Sequence, residues 1–173
     1  IIGGGQLGSM LAIAANKLGI KTVVFSDDID APAQNFSNEF VYGQYDDQNK
    51  INEFTNKTNV ITYEFENIPY ETLNKINKKK AVLPKPSVNR IIQHRLAEKD
   101  FINKLNIKTT KYMSIERKSE IDSVQEMLPG LLKTTTMGYD GKGQHLINCA
   151  EDLDSLDIDY SKGYILEKLV KLK

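Results

Sequence analysis

The sequence predicts an α/β protein in two parts. A parallel-sheet domain covers residues 1–88, linking helices follow over 89–106, and a small α+β unit occupies 107–173. Three observations predict this. Short apolar runs alternate with segments of helical spacing as far as Leu83. The turn Gly3-Gly4-Gly5-Gln6-Leu7-Gly8 joins the first run to the first helical segment. From Ile107 the texture changes to closely spaced strands with short helices between them. Strands separated by helices are joined by crossovers, and crossovers leave consecutive strands parallel.

Ile1-Ile2 reads as the end of a strand whose start is expected upstream, because a strand needs several residues. After the glycine turn, Leu7, Leu11, Ala14 and Leu18 recur at helical spacing, and Gly19 supplies a stop. Lys21 to Phe25 is β-branched and apolar, a second strand that ends in the polar turn Ser26-Asp27-Asp28. Glu39 to Tyr42 is a third strand and Asp46 to Phe54 a helix with an acidic first turn. Val60 to Tyr63 is a fourth strand, Pro69 opens a helix through Asn77, and Ala81 to Leu83 is a fifth strand ahead of Pro84. Ser87 to Leu105 is helical in character. Lys111 to Ile115, Leu131 to Thr136, Gln144 to Ile147 and Tyr164 to Leu169 are the strands of the second part, with short helices over 119–127 and 151–156.

Composition excludes some classes of function. The 173 residues carry 23 Lys+Arg against 23 Asp+Glu, a formal net charge of zero. That argues against a broad electrostatic footprint for nucleic acid or an anionic membrane. The single cysteine, Cys149, forbids an internal disulfide and suits a reducing, cytoplasmic compartment. No apolar run approaches the roughly 20 residues that span a bilayer, and the run Met10 to Ala15 follows a glycine loop rather than a basic leader.

Two glycine loops carry the chemistry. Gly3-x-Gly5-x-x-Gly8 matches a dinucleotide fingerprint, with Asp27 or Asp28 about 20 residues on. The physics is generic: glycines let backbone N–H groups at a helix start approach an anion. NAD, a phosphorylated substrate and a purely structural turn all remain open on this loop alone. The second loop is more telling. In Leu131-Leu132-Lys133-Thr134-Thr135-Thr136-Met137-Gly138-Tyr139-Asp140-Gly141-Lys142-Gly143-Gln144 a strand ends in a lysine and three hydroxyls, and three glycines follow before the next strand. Glycine costs entropy on ordering, so a plain hairpin has little use for so much of it. A flap that closes over a triphosphate uses both its mobility and its N–H donors. No helix follows the loop, so it is not a Walker motif. Tyr164 to Val170 is a strand able to offer a backbone edge to a purine. Glu64 and Glu66, just ahead of Pro69, read by themselves as negative charge at a helix N-terminus.

Taken together, four segments resemble the ATP-grasp superfamily and, within it, the 5-(carboxyamino)imidazole ribonucleotide synthase family. They are Gly3 to Gly8, Thr62-Tyr63-Glu64-Phe65-Glu66-Asn67-Ile68-Pro69, His94-Arg95-Leu96-Ala97-Glu98-Lys99, and Lys133 through Gln144. The resemblance implies a Rossmann-like pre-ATP-grasp domain followed by an ATP-grasp lid subdomain. It also implies an ATP-dependent carboxylation of 5-aminoimidazole ribonucleotide by bicarbonate through carboxyphosphate. On it, Arg95, Lys133, Gly138, Tyr139, Asp140, Gly141, Lys142, Gly143, Gln144, Glu167, Lys168, Leu169 and Val170 are expected at ATP. Gly5, Gln6, Leu7, Glu64 and Glu66 are expected at the ribonucleotide, and Tyr139, Asp140 and Lys142 at the chemistry.

The implied partners are ATP, Mg2+, bicarbonate and the ribonucleotide, with no nucleic acid and no membrane, and the parent protein is expected to be a homodimer. The magnesium ligands and a C-terminal domain are expected beyond Lys173, so the 173 residues alone are expected to be inactive. Ser9 stands where the family carries a basic residue, and Leu169 where Phe is common. A different ATP-grasp carboxylase or transformylase, and an NAD-binding oxidoreductase, are the competing readings. The second leaves Lys133 to Gln144 without a role.

Overall fold

The computed structural model describes residues 1–117, 120, 125–138 and 143–171. The chain divides into two compact units, Ile1–Arg90 and Ile91–Lys173.

In the first unit, β1 (Val23–Ser26) and β2 (Glu39–Tyr42) pair in parallel, Val23 against Glu39 through Ser26 against Tyr42. Ile2 bridges Phe25 on one side and Tyr63 on the other, and Ile61 bridges Val82, all in parallel. The order across the sheet is therefore 39–42, 23–26, Ile2, 61–63, Val82, with the chain's first segment in the middle. Three of the five expected strands contribute only these bridges. The reason is local: Gly3 turns the backbone away at φ 102 directly after Ile2, and Pro84, next to Leu83, has no N–H to extend a ladder.

One face of this sheet is closed by α2 (Gln48–Asn56) and α3 (Tyr70–Asn77). Ile51, Phe54, Leu73 and Ile76 from these helices form a single cluster with Ile2, Phe25, Val41, Ile61 and Val82. Phe25 meets Tyr45 edge-on at 5.3 Å and Phe54 at 5.5 Å. Val24 is also fully buried but lies outside that cluster, as strand alternation requires of the opposite face.

The caps explain where the helices begin and end. α1 (Gln6–Lys17) closes with Gly19 at φ 72, whose N–H reaches the Asn16 carbonyl while the Ile20 N–H reaches Ala15. This is the double closure that glycine permits. α2 starts later than its acidic residues suggested, because Asp47 is spent as the cap: its Oδ1 accepts from the N–H groups of Asn49 and Lys50 at 2.8 and 3.2 Å. The helical stretch expected over 87–105 is two helices, α4 (Pro86–Ile92) and α5 (Arg95–Lys104). His94 is extended between them, and its Nδ1 accepts from the Ala97 N–H.

The second unit is an antiparallel sheet in the order β3-β6-β4-β5, from β3 (Tyr112–Ile115), β4 (Gly130–Thr134), β5 (Gln144–Ile147) and β6 (Tyr164–Lys168). α6 (Ala150–Asp154) lies between β5 and β6 in sequence. Ile115, Leu132, Ile147, Tyr164 and Leu166 build its core with Met127 and Leu153. Because side chains alternate along a strand, Lys133 on β4 and Glu167 on β6 point to the face opposite that core. The helix expected over 119–127 falls mostly outside the described residues. Among the described residues no helix is long and apolar enough to cross a membrane.

Candidate functional site

The first glycine loop is shaped by close approaches. A Cβ on Gly8 would lie 2.5 Å from the Gly3 carbonyl oxygen, and one on Gly4 would lie 2.6 Å from the Ala31 Cβ. The loop thus packs against its own start and against the turn after β1. Gly5 is more open, its nearest neighbour being Glu64 Oε1 at 3.4 Å from a built Cβ.

Glu64 is the informative residue here. Its backbone N–H donates to the Ile2 carbonyl, and its Oε1 accepts the Gly5 N–H at 3.2 Å. A donor that the sequence offered to a substrate anion is therefore taken by a carboxylate of the chain. Gln6 and Leu7 lie on the exposed first turn of α1, and Glu66 is exposed as well. Ser9 is buried and its hydroxyl donates to the Gly5 carbonyl, so it belongs to the turn rather than to an open surface. Past β1, burial beside the Asp27 carboxylate pushes the Tyr45 phenol up to about 12, so it stays protonated and able to donate.

Burial raises the Glu64 pKa, and the Gly5 N–H offsets part of that rise. An acid whose folded pKa is raised costs stability when ionised. The cost is absent below the ordinary carboxylate value of 4.5 and is fully present above the folded value. Glu64→Gln keeps an acceptor for Gly5 and removes that cost. It is expected to be at least as stable as the parent at pH 7 in urea denaturation, with the difference shrinking as the pH falls through the carboxylate range. A gap that widens toward low pH contradicts this account.

In the second unit three charged side chains from three elements meet. Lys133 Nζ lies 2.9 Å from Glu167 Oε2, and Lys99 Nζ of α5 lies 3.3 Å from Glu167 Oε1. All three are largely shielded, with side-chain exposures of 19% for Lys133, 16% for Lys99 and 11% for Glu167. Register explains the first pair: Lys133 is opposite Ile165, which places Glu167 diagonally on the same face. Lys99 is one helical turn beyond Arg95, so both project from one side of α5. The cluster has two positive charges and one negative, a net of +1.

Arg95 is occupied with the loop itself. Its Nη1 donates to the Thr134 carbonyl at 2.6 Å, its other Nη to the Gly138 carbonyl, and its backbone N–H to the Thr135 carbonyl at 2.9 Å. The Thr134 N–H meets the Gly143 carbonyl at 3.2 Å, and Gly143, at φ 69, returns the chain into β5, where Gln144 pairs with Lys133. Tyr139, Asp140, Gly141 and Lys142 lie outside the described residues. On the edge expected to meet a purine, the Lys168 ammonium donates to the Glu126 carbonyl at 2.8 Å, and the Lys168 carbonyl accepts the Thr110 hydroxyl at 2.7 Å. The Leu169 N–H is taken by the Pro129 carbonyl, while Leu169 and Val170 are exposed.

The structure therefore brings together Lys133 with Glu167 and Arg95 with Gly138 in one unit, and Gly5 with Glu64 in the other. Within the segment His94 to Lys99 the sequence assigns no role to Lys99. Its spacing of four from Arg95 on a helix was the signal that could have singled it out.

Residues 1–93 match the ribonucleotide synthetase preATP-grasp domain, and residues 100–173 match the ATP-grasp domain. Among curated proteins, N5-carboxyaminoimidazole ribonucleotide synthase of Staphylococcus aureus (strain COL) is 37% identical over 100% of this chain and 47% of its own length. Among solved structures, N5-carboxyaminoimidazole synthetase from Staphylococcus aureus complexed with ADP superposes with a TM-score of 0.91 at 36% identity, covering 99% of this chain and 47% of that one. The carboxyaminoimidazole ribonucleotide synthase of Aspergillus clavatus complexed with ATP gives 0.86 at 27% identity, covering 99% and 47%. The chain thus spans about half the length of the relatives it matches.

Proposed function

Because this chain belongs to the ribonucleotide synthetase preATP-grasp family and continues into an ATP-grasp domain, we propose that the protein it forms is a cytoplasmic ligase that carboxylates 5-aminoimidazole ribonucleotide at the expense of ATP. A bicarbonate oxygen attacks the γ-phosphorus and ADP leaves. The amine of the ribonucleotide then attacks the carboxyl carbon of the resulting carboxyphosphate, the C–O bond breaks, and phosphate departs. The single observation that carries the reading is the shielded Lys133–Glu167–Lys99 cluster with a glycine loop rooted at its edge.

In this reading Lys133 neutralises the nucleotide phosphates from a strand, where it is held before the ligand arrives. The loop 138–144 closes over them with its backbone donors, bringing Tyr139, Asp140 and Lys142 to the reacting groups, while Arg95 anchors the base of that loop. Glu167, Lys168, Leu169 and Val170 supply the edge for the adenine. Gly5, Gln6, Leu7, Glu64 and Glu66 receive the ribonucleotide. Glu64, an acceptor, suits its hydroxyl or amine hydrogens rather than its phosphate, since a carboxylate at the Gly5 N–H repels a second anion. Among the described residues no group of three or more His, Cys, Asp or Glu is gathered that could hold a metal.

Thermal shift of the full-length protein tests the reading. Mg-ATP and 5-aminoimidazole ribonucleotide are each expected to raise the melting temperature, since a ligand at about 100 times its Kd adds roughly 2.7 kcal/mol. NAD is expected to leave it unchanged. Stabilisation by NAD alone would overturn the ligase in favour of an oxidoreductase.

A further inference from the structure

We propose that Lys99 is a positioning residue for nucleotide binding: it neutralises Glu167 so that the Lys133 ammonium can serve the triphosphate. The inference rests on the ATP reading above and concerns a residue to which that reading gives no part. Glu167 is 9% exposed, and its two carboxylate oxygens are divided between two lysines, Oε2 with Lys133 at 2.9 Å and Oε1 with Lys99 at 3.3 Å. A shielded carboxylate facing a lone lysine makes a neutral pair, with nothing left over to attract an anion. Adding the second lysine restores one net positive charge beside the β4 glycine loop.

Lys99 is well built for this task. It sits on α5 one turn from Arg95, and the two residues tie that helix to β6 and to the base of the loop. Its ammonium also lies 5.6 Å from the centre of the Tyr112 ring. That ring is fixed in turn by its hydroxyl, which donates to Asp100 at 2.7 Å and accepts from Asn103 at 3.0 Å. A lysine held by a ring below and a carboxylate ahead has few alternative rotamers, so the charge of Glu167 is met at a defined point. The remaining oxygen of Glu167 then orients Lys133 without capturing its whole charge.

The test is a binding cycle on the full-length protein, with ATP and adenosine as probes. Lys99→Met is expected to weaken ATP about tenfold, as loss of one partly screened charge several ångströms from the phosphates implies. It should leave adenosine within about twofold, because adenosine carries no phosphate for the cluster to attract. Lys99→Arg should recover most of the ATP affinity. The double variant Lys99→Met with Glu167→Gln removes both charges and returns the cluster to +1. The ratio of ATP to adenosine affinity should then return toward the parent value, whatever Glu167→Gln costs both ligands at the adenine edge.

Equal losses of ATP and adenosine in Lys99→Met, or an ATP-to-adenosine affinity ratio in the double variant no higher than in Lys99→Met, would overturn the proposal and leave Lys99 a packing residue. ATP affinity unchanged in Lys99→Met would overturn it too. If Lys99→Met does not fold, the Lys99→Arg variant and the double variant decide the question by the same ATP-to-adenosine ratio. Failure of the parent protein itself to bind ATP would instead remove the ligase reading on which the proposal stands.

Discussion

Replacing Lys133 by methionine is expected to lower ATP turnover of the full-length protein by about a hundredfold or more while leaving it folded. A charge on a phosphate at 4 Å and an effective dielectric of 20 is worth roughly 4 kcal/mol, and about 2.7 kcal/mol is already a hundredfold. The lysine is shielded and held on β4 by Glu167, so its contribution needs little reorganisation when nucleotide arrives. Methionine keeps most of the stem and its packing, which separates loss of charge from loss of fold. Lys78→Ala is the control. Lys78 is an exposed residue just past the end of α3, and its variant is expected to turn over ATP like the parent. Steady-state ATP hydrolysis, with circular dichroism to confirm folding, reads both. Equal rates in the two variants would remove Lys133 from the phosphate site.

Gly8→Ala is expected to destabilise the protein by roughly 2–3 kcal/mol, the range for overpacking a site with no room to relax. The added Cβ would lie 2.5 Å from the Gly3 carbonyl oxygen and 3.3 Å from the Gly3 carbonyl carbon, with the Ala33 Cβ in ordinary contact at 3.5 Å. The Gly3 carbonyl cannot easily retreat. The Gly3 N–H is bonded to the Phe25 carbonyl at 2.9 Å, the preceding Ile2 N–H to Thr62 at 2.8 Å, and Gly3 itself is at φ 102. Strain entered at Gly8 therefore passes directly into the middle of the sheet. Gly5→Ala, whose Cβ would meet only the end of the Glu64 side chain at 3.4 Å, is expected to cost under about 1 kcal/mol by the same reasoning. Urea unfolding of both variants checks the pair. A Gly8→Ala midpoint equal to that of the parent, or an equal cost at Gly5, would show that the loop is not held as described.

Much of the architecture was legible because its causes are local. Glu39 to Tyr42 and Gln144 to Ile147 are strands with the predicted ends, and Gly19 stops α1 where a glycine should. The sequence missed what depends on a cap or a neighbour. His94 has a weak capping signal, so linking helices are expected over 89–106 but the place of the break between α4 and α5 is not. The middle of the parallel sheet shrank to single bridges because Gly3 and Pro84 cut the pairing short, and the pattern of apolar residues does not register that loss.

The site divides in the same way. Lys133, the loop behind it and the glycines near Ile2 stand out from residue type and spacing, because a phosphate-binding segment needs a cation and bare backbone close together in the chain. Residue type and spacing alone were therefore enough for the class of fold and for the strand that carries Lys133. That Glu64 takes the Gly5 N–H across 59 residues, that Glu167 meets Lys133 across 34, and that Lys99 joins them emerges only once the elements are docked. The reason is physical: local periodicity is set by interactions within a turn or two of chain, whereas a charge is paid for only by the partner that strand register and helix docking bring to it.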